Sequence, residues 1–150
     1  KGRDGCRTPM PWVSAEPDLG FAPQGVAAAK PWLPVAETHR ALAVDAQVAS
    51  PDSLLNFYRH LLHWRKAQPA LLHGDMELLP VDAQVFAFVR ATDAQRVLCV
   101  FNFSDQPARY ALPVKCNGAQ VLTDSGLKGA TLAPGSVDLA PWGGLFAQLS

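Results

Sequence analysis

What this chain lacks narrows its reading first. Its only cysteines, Cys6, Cys99 and Cys116, lie far apart, which suits neither a paired disulfide framework nor a zinc site built on short cysteine spacings. They read as reduced thiols, and a cytoplasmic setting is expected. Cys99 falls inside an apolar strand pattern, where it reads as a small buried hydrophobe. Charge of one sign is also missing. Lys plus Arg and Asp plus Glu stand at 13 each, so there is no basic field for a nucleic acid and no acidic tail. No apolar run approaches the about 20 residues that span a bilayer, and the opening KGRDGCRTPMPW has no signal-peptide core. Neither a nucleic-acid partner nor a membrane association is expected. Internal repeats, low-complexity tracts, glycine-rich phosphate loops, nucleophile elbows and basic-aromatic RNA signatures are all absent.

What is present is enough for a packed core: 49% hydrophobic residues against 17% charged in 150 residues. The composition falls into three regions. Residues 1–50 carry Pro9, Pro11, Pro17, Pro23, Pro31 and Pro34, spaced so that no long helix or strand runs through them. A loop of that length is functional or disordered, and Met10, Trp12, Leu19, Phe21, Trp32, Leu33 and Val35 make it too apolar for a plain linker. It expects a surface to pack against.

The second region opens on Ser50-Pro51-Asp52-Ser53, read as an N-cap serine, a proline at the first helical position and an acid in the first turn. Leu54, Phe57, Tyr58, Leu61, Leu62 and Trp64 follow at helical spacing over a broad arc. Basic residues gather toward the far end, and Gln68-Pro69 stops the helix. From about residue 75 short strands alternate with Gly, Pro, Asn and Asp. Eight are expected: 76–79, 85–91, 97–103, 109–112, 120–123, 131–132, 137–139 and 145–149. Val97–Phe103, apolar on both faces apart from Asn102, is the central strand. It pairs antiparallel with Val85–Ala91 through the polar connection Thr92-Asp93-Ala94-Gln95, and a two-layer antiparallel sandwich follows.

The densest chemical signal is Gly2-Arg3-Asp4-Gly5-Cys6-Arg7-Thr8-Pro9-Met10-Pro11-Trp12, two arginines four apart on a loop closed by prolines and tryptophan. It resembles the Gly-Arg-Asp-x-x-Arg-Thr/Ser-Pro-Met-x-Trp segment of α-glucosidases and oligo-1,6-glucosidases in glycoside hydrolase family 13, the α-amylase superfamily. The resemblance continues through Gly20-Phe21, Pro31–Val35, Pro51–Arg59, Arg65-Lys66, Phe88–Arg90 and Val100–Ser104, nearly the whole chain. It implies a mainly β fold. Residues 1–70 would be the C-terminal end of a (β/α)8 barrel, comprising the loop after strand eight and the last helix. Residues 71–150 would be the antiparallel β-sandwich called domain C. Active sites of such barrels sit on loops at the C-terminal ends of the strands, which directs attention to the first loop.

By the same resemblance Arg3 hydrogen-bonds the glucose at the cleavage subsite, and Arg7 lies close to the site, contacting sugar or neighbouring carboxylates. Guanidinium chemistry suits this, since it offers fixed donors to a diol and keeps its charge. The bland alternative is that both arginines make salt bridges that shape the loop, with Asp4 as partner. Retaining hydrolysis needs two carboxyl groups roughly 5–5.5 Å apart, and the resemblance puts these upstream of residue 1. Asp52, Asp93, Asp105, Asp124 and Asp138 fall at caps and turns instead.

No catalytic residue is therefore assigned, and the isolated chain is expected to be inactive. No cofactor and no metal are expected. His60 and His63, one helical turn apart, lack a third ligand. Trp12 and Trp32 are candidates for the active-site wall, and Trp142 for a surface turn. The partners implied are an oligosaccharide or α-glucoside substrate and the upstream barrel. The activity implied is retaining hydrolysis of short α-linked glucosides. A non-catalytic carbohydrate-binding or packing module, and transfer chemistry of the trehalose synthase, sucrose isomerase or amylosucrase kind, stay open.

Overall fold

The computed structural model describes residues 2–3, 6–22, 32–80 and 82–150. Two units emerge, Lys1–Arg59 and His60–Ser150. Within the first, the proline-rich stretch is less irregular than expected. A 3-10 segment, Glu37–Leu42, leads into a short helix α1, Val44–Ala49. Both fall where the prolines have stopped, after Pro34, and six residues of helix are too few for periodicity to announce.

The next helix, α2, runs Leu54–Lys66 and not from Pro51. Ser50 ends α1, its N–H donating to the carbonyl of Gln47. The cap of α2 is Ser53, whose Oγ accepts the N–H of Asn56 at 3.2 Å. Two capping serines compete in this sequence, and α1 takes the first. Asn56 Nδ2 reinforces the corner by donating to the carbonyls of Gln47 and Ser50 (3.1 and 2.8 Å). α2 ends at Lys66, just before Gln68-Pro69 as expected, and Pro69 also opens a third helix, α3, Pro69–His73, where its missing N–H costs nothing.

The second unit is the antiparallel β-sandwich. Its strands are β1 Asp75–Leu78, β2 Val85–Ala91, β3 Arg96–Asn102, β4 Ala108–Ala111, β5 Gln120–Val121, β6 Ala130–Ala133, β7 Ser136–Leu139 and β8 Gly144–Leu149. One sheet has the order β1-β2-β3-β8-β5, the other β4-β7-β6, with every pairing antiparallel. The connection from β2 to β3 closes through Thr92 N–H to the Gln95 carbonyl at 2.8 Å.

Strand β3 is the middle of its sheet and is buried on both faces. Leu98 and Val100 join Val89, Tyr110, Val137 and Leu145 between the sheets. Val97 and Cys99 face the other way, under Trp64 of α2 and Ala70 and Leu71 of α3. The aromatic periodicity of β2, β3 and β8 serves this outer layer. Trp64 lies 4.8 Å from Phe146, Phe146 meets Phe101 edge-on at 5.5 Å, and Phe101 adjoins Phe88 at 6.1 Å, all between ring centroids. Arg90 holds the end of α3, donating from Nε and Nη2 to the Gly74 carbonyl (3.1 and 2.6 Å).

The polar residue that ends β3 is structural. Asn102 is buried; its Nδ2 donates to the carbonyls of Gln106 (2.7 Å) and Ala140 (3.0 Å), and its Oδ1 accepts from the Ser104 N–H and hydroxyl. Its amide is consumed in this knot, while the neighbouring Phe103 is exposed. The backbone is equally tight at Gly143, where a Cβ would sit 2.1 Å from the carbonyl oxygen of Gly129.

Candidate functional site

The two arginines of the motif are both exposed, on a loop whose turn is built locally. The Arg3 carbonyl accepts the Cys6 N–H at 3.2 Å and the Cys6 thiol at 2.9 Å, so Cys6 closes the turn that separates Arg3 from Arg7. Asp4, and with it the expected salt bridge, lies outside the described residues.

Downstream of the motif the loop folds back on itself. The N–H groups of Trp12 and Val13 both donate to the Leu19 carbonyl (2.8 and 2.9 Å). Leu19 is buried and takes φ 56°, a left-handed value that a branched side chain adopts only when its surroundings hold it there. Asp18 helps to hold it, accepting the N–H groups of Gly20 and Ala22 at 3.0 Å each.

A second set of bonds ties this loop to the region around α1. Val44 N–H donates to the Pro11 carbonyl and Asp45 N–H to the Trp12 carbonyl, both at 3.1 Å. The Asp45 carboxylate accepts the Ser14 N–H with both oxygens at 3.0 Å and the Ser14 hydroxyl at 2.9 Å. Arg40 Nη1 donates to the carbonyls of Ser14 (2.6 Å) and Glu16 (3.0 Å), while its Nε pairs with Glu37 at 2.8 Å.

The Ser14 N–H holds the Asp45 carboxyl below its ordinary range. Because the folded value is lowered, this anchor is present above the usual carboxylate range and is lost as pH falls through the lowered one. Sequence patterns did not single out Arg40, Asp45 or Ser14. The one available signal was an acid in the first turn of a short proline-free stretch, too weak to stand alone.

The tryptophans of this loop project outward, Trp12 at 46% exposure and Trp32 at 73%, as does Met10. Trp142 is also exposed, on a turn where it takes φ 57°. His60 Nε2 contacts the Asp124 carbonyl at 2.7 Å, and among the described residues no group of three His, Cys, Asp or Glu side chains could hold a metal. No described helix is long and apolar enough to cross a membrane.

The cysteines differ sharply. Cys6 is exposed, whereas burial pushes the Cys99 thiol up to about 12, against a smaller opposing effect of Arg90, and raises that of Cys116 as well. In the native protein a thiol reagent is expected to modify Cys6 and to reach Cys99 and Cys116 only on unfolding. Native-state labelling of Cys99 at a rate close to that of Cys6 would contradict the burial described for β3.

Comparison with known proteins locates this arrangement. Residues 1–74 match the alpha amylase catalytic domain, and residues 76–145 the maltogenic amylase C-terminal domain. A probable alpha-glucosidase of Rhizobium meliloti (strain 1021) is 41% identical over 150 residues, which is 100% of this chain and 26% of that protein. The chain belongs to the α-amylase family.

Other members of the family agree. A probable oligo-1,6-glucosidase 2 of Bacillus subtilis (strain 168) is 38% identical over 121 residues, 80% of this chain and 20% of the relative. The crystal structure of an alpha-glucosyl transfer enzyme, XgtA, superposes with a TM-score of 0.87 at 39% identity, covering 100% of this chain and 26% of that one. The chain thus spans 20–26% of the length of these relatives. The β-sandwich coincides with the segment that matches the maltogenic amylase C-terminal domain, and the residues before it match the catalytic domain.

Proposed function

We propose that this chain forms the C-terminal quarter of a retaining α-glucosidase acting on short α-linked glucosides, with residues 1–70 completing the catalytic barrel and 71–150 forming its β-domain. The observation that carries the reading is the loop Gly2–Trp12. Its two arginines are exposed, its end at Pro11 and Trp12 accepts the N–H groups of Val44 and Asp45, and the segment that follows, Ser14–Glu16, is held by Asp45 and Arg40. Arg3 donates to the hydroxyls of the sugar whose bond is cleaved, and Arg7 stands beside it toward sugar or carboxylate. Trp12 and Trp32 form part of the pocket wall.

The reacting carboxyl groups belong to the barrel outside this chain. In the retaining sequence one carboxylate attacks the anomeric carbon while the other carboxylic acid protonates the leaving oxygen. Water then displaces the enzyme from the glycosyl intermediate, its proton taken by the second group. The chain's own residues bind and orient; they transfer no proton.

The test is an aryl α-glucoside assay on this chain and on the same chain joined to the barrel of its parent protein. Hydrolysis is expected from the joined protein and none from the chain alone. A folded, joined protein that neither hydrolyses nor transfers α-glucosyl groups would rule the reading out.

The likeness to an alpha-glucosyl transfer enzyme favours a second reading, in which an acceptor sugar hydroxyl replaces water in the last step. Product analysis separates the two. Free glucose in step with aglycone release indicates hydrolysis, and a shortfall of glucose matched by new disaccharide indicates transfer.

A further inference from the structure

We infer that Asp45 is a positioning residue for the substrate loop, fixing where Trp12 and the arginines before it stand; this rests on the reading of Arg3 given above. Asp45 grips the loop on both sides of Val13. Its own N–H donates to the Trp12 carbonyl at 3.1 Å, and its carboxylate takes the Ser14 N–H and hydroxyl at 2.9–3.0 Å.

No rotation of the loop about Val13 leaves both sets of bonds intact. The carboxylate also accepts the Ala46 N–H at 2.7 Å, so the side chain that holds the loop is itself held by the first turn of α1. Arg40 braces the same segment through the carbonyls of Ser14 and Glu16. The contacts span 31 residues of sequence at Asp45 and 24 to 26 at Arg40. They satisfy the first N–H groups of α1 and at the same time immobilise the segment that directly follows the motif.

Holding a binding group within a fraction of an ångström affects the chemical step more than the capture of substrate. In the barrel-joined protein, Asp45→Ala is expected to lower kcat per titrated active site about 10- to 100-fold, with Asp45→Glu restoring part of the loss. Amide exchange at Val13 and Ser14 should accelerate while β2 and β3 stay protected.

A merely structural Asp45 would reduce the number of active sites and leave kcat per site unchanged, and that result overturns the inference. So does unchanged exchange at Ser14. Arg3→Ala is measured alongside. Full activity in Arg3→Ala defeats the reading of the loop, and the inference falls with it. A severe loss in Arg3→Ala with none in Asp45→Ala defeats the inference alone.

Discussion

Replacing Arg3 with alanine in the barrel-joined protein is expected to lower kcat/KM on the order of 100-fold if, as proposed, its guanidinium donates to the sugar, the loss that follows when hydrogen bonds from a charged donor disappear from a site that excludes water. Arg3→Lys should recover only part, because an ammonium keeps the charge and gives up the rigid fork of donors. The two variants separate charge from geometry. Equal losses assign the effect to the fork; near-complete recovery in Arg3→Lys assigns it to charge. Thermal stability should barely move in either, since Arg3 is exposed and its visible local role is played by its backbone carbonyl. If Arg3→Ala leaves kcat/KM within a factor of two or so of the unmodified protein, Arg3 does not touch the sugar.

The largest effect on stability belongs to Leu98. It is fully buried on β3, with Val89 and Ala147 as its cross-strand partners and the opposite sheet above it. Leu98→Ala removes packed atoms and leaves a space that neighbours held in a five-stranded sheet cannot collapse to fill, so a cost of about 2–5 kcal/mol is expected in denaturant unfolding. Met76→Ala on β1 is the control. Met76 is more than half exposed, and its loss should stay within about 0.5 kcal/mol. A Leu98→Ala change as small as that of Met76→Ala would mean the two sheets are not packed face to face as described.

The sandwich was legible because its strands announce themselves twice, by alternation and by the turn residues between them. Val85–Ala91 stands where the pattern put it, and the continuous apolar run around Leu98 marked the strand with no solvent-facing side. The first unit was legible only as chemistry. Gly2–Trp12 pointed to the α-amylase family by its order of residues, yet nothing in that order indicated what steadies the loop.

Asp45 and Arg40 act across more than twenty positions and, apart from the Ser14 hydroxyl, on backbone atoms, and a backbone partner leaves no trace in the identity of the residue that carries it. The mistaken start of α2 has a related cause. Ser50 and Ser53 are equally good caps taken alone, and only the presence of α1 decides between them.

Strand β8 has a consequence for how the protein is made. It lies between β3 and β5, not at an edge, and its partner residues on β3 precede it by dozens of positions, with Arg96 opposite Leu149. During synthesis β1, β2 and β3 can zip into a meander as they leave the ribosome, but one rim of β3 stays bare until residues 144–149 have been translated. For that interval the nascent chain exposes an apolar strand with unsatisfied amides, the feature that neighbouring polypeptides recruit most readily.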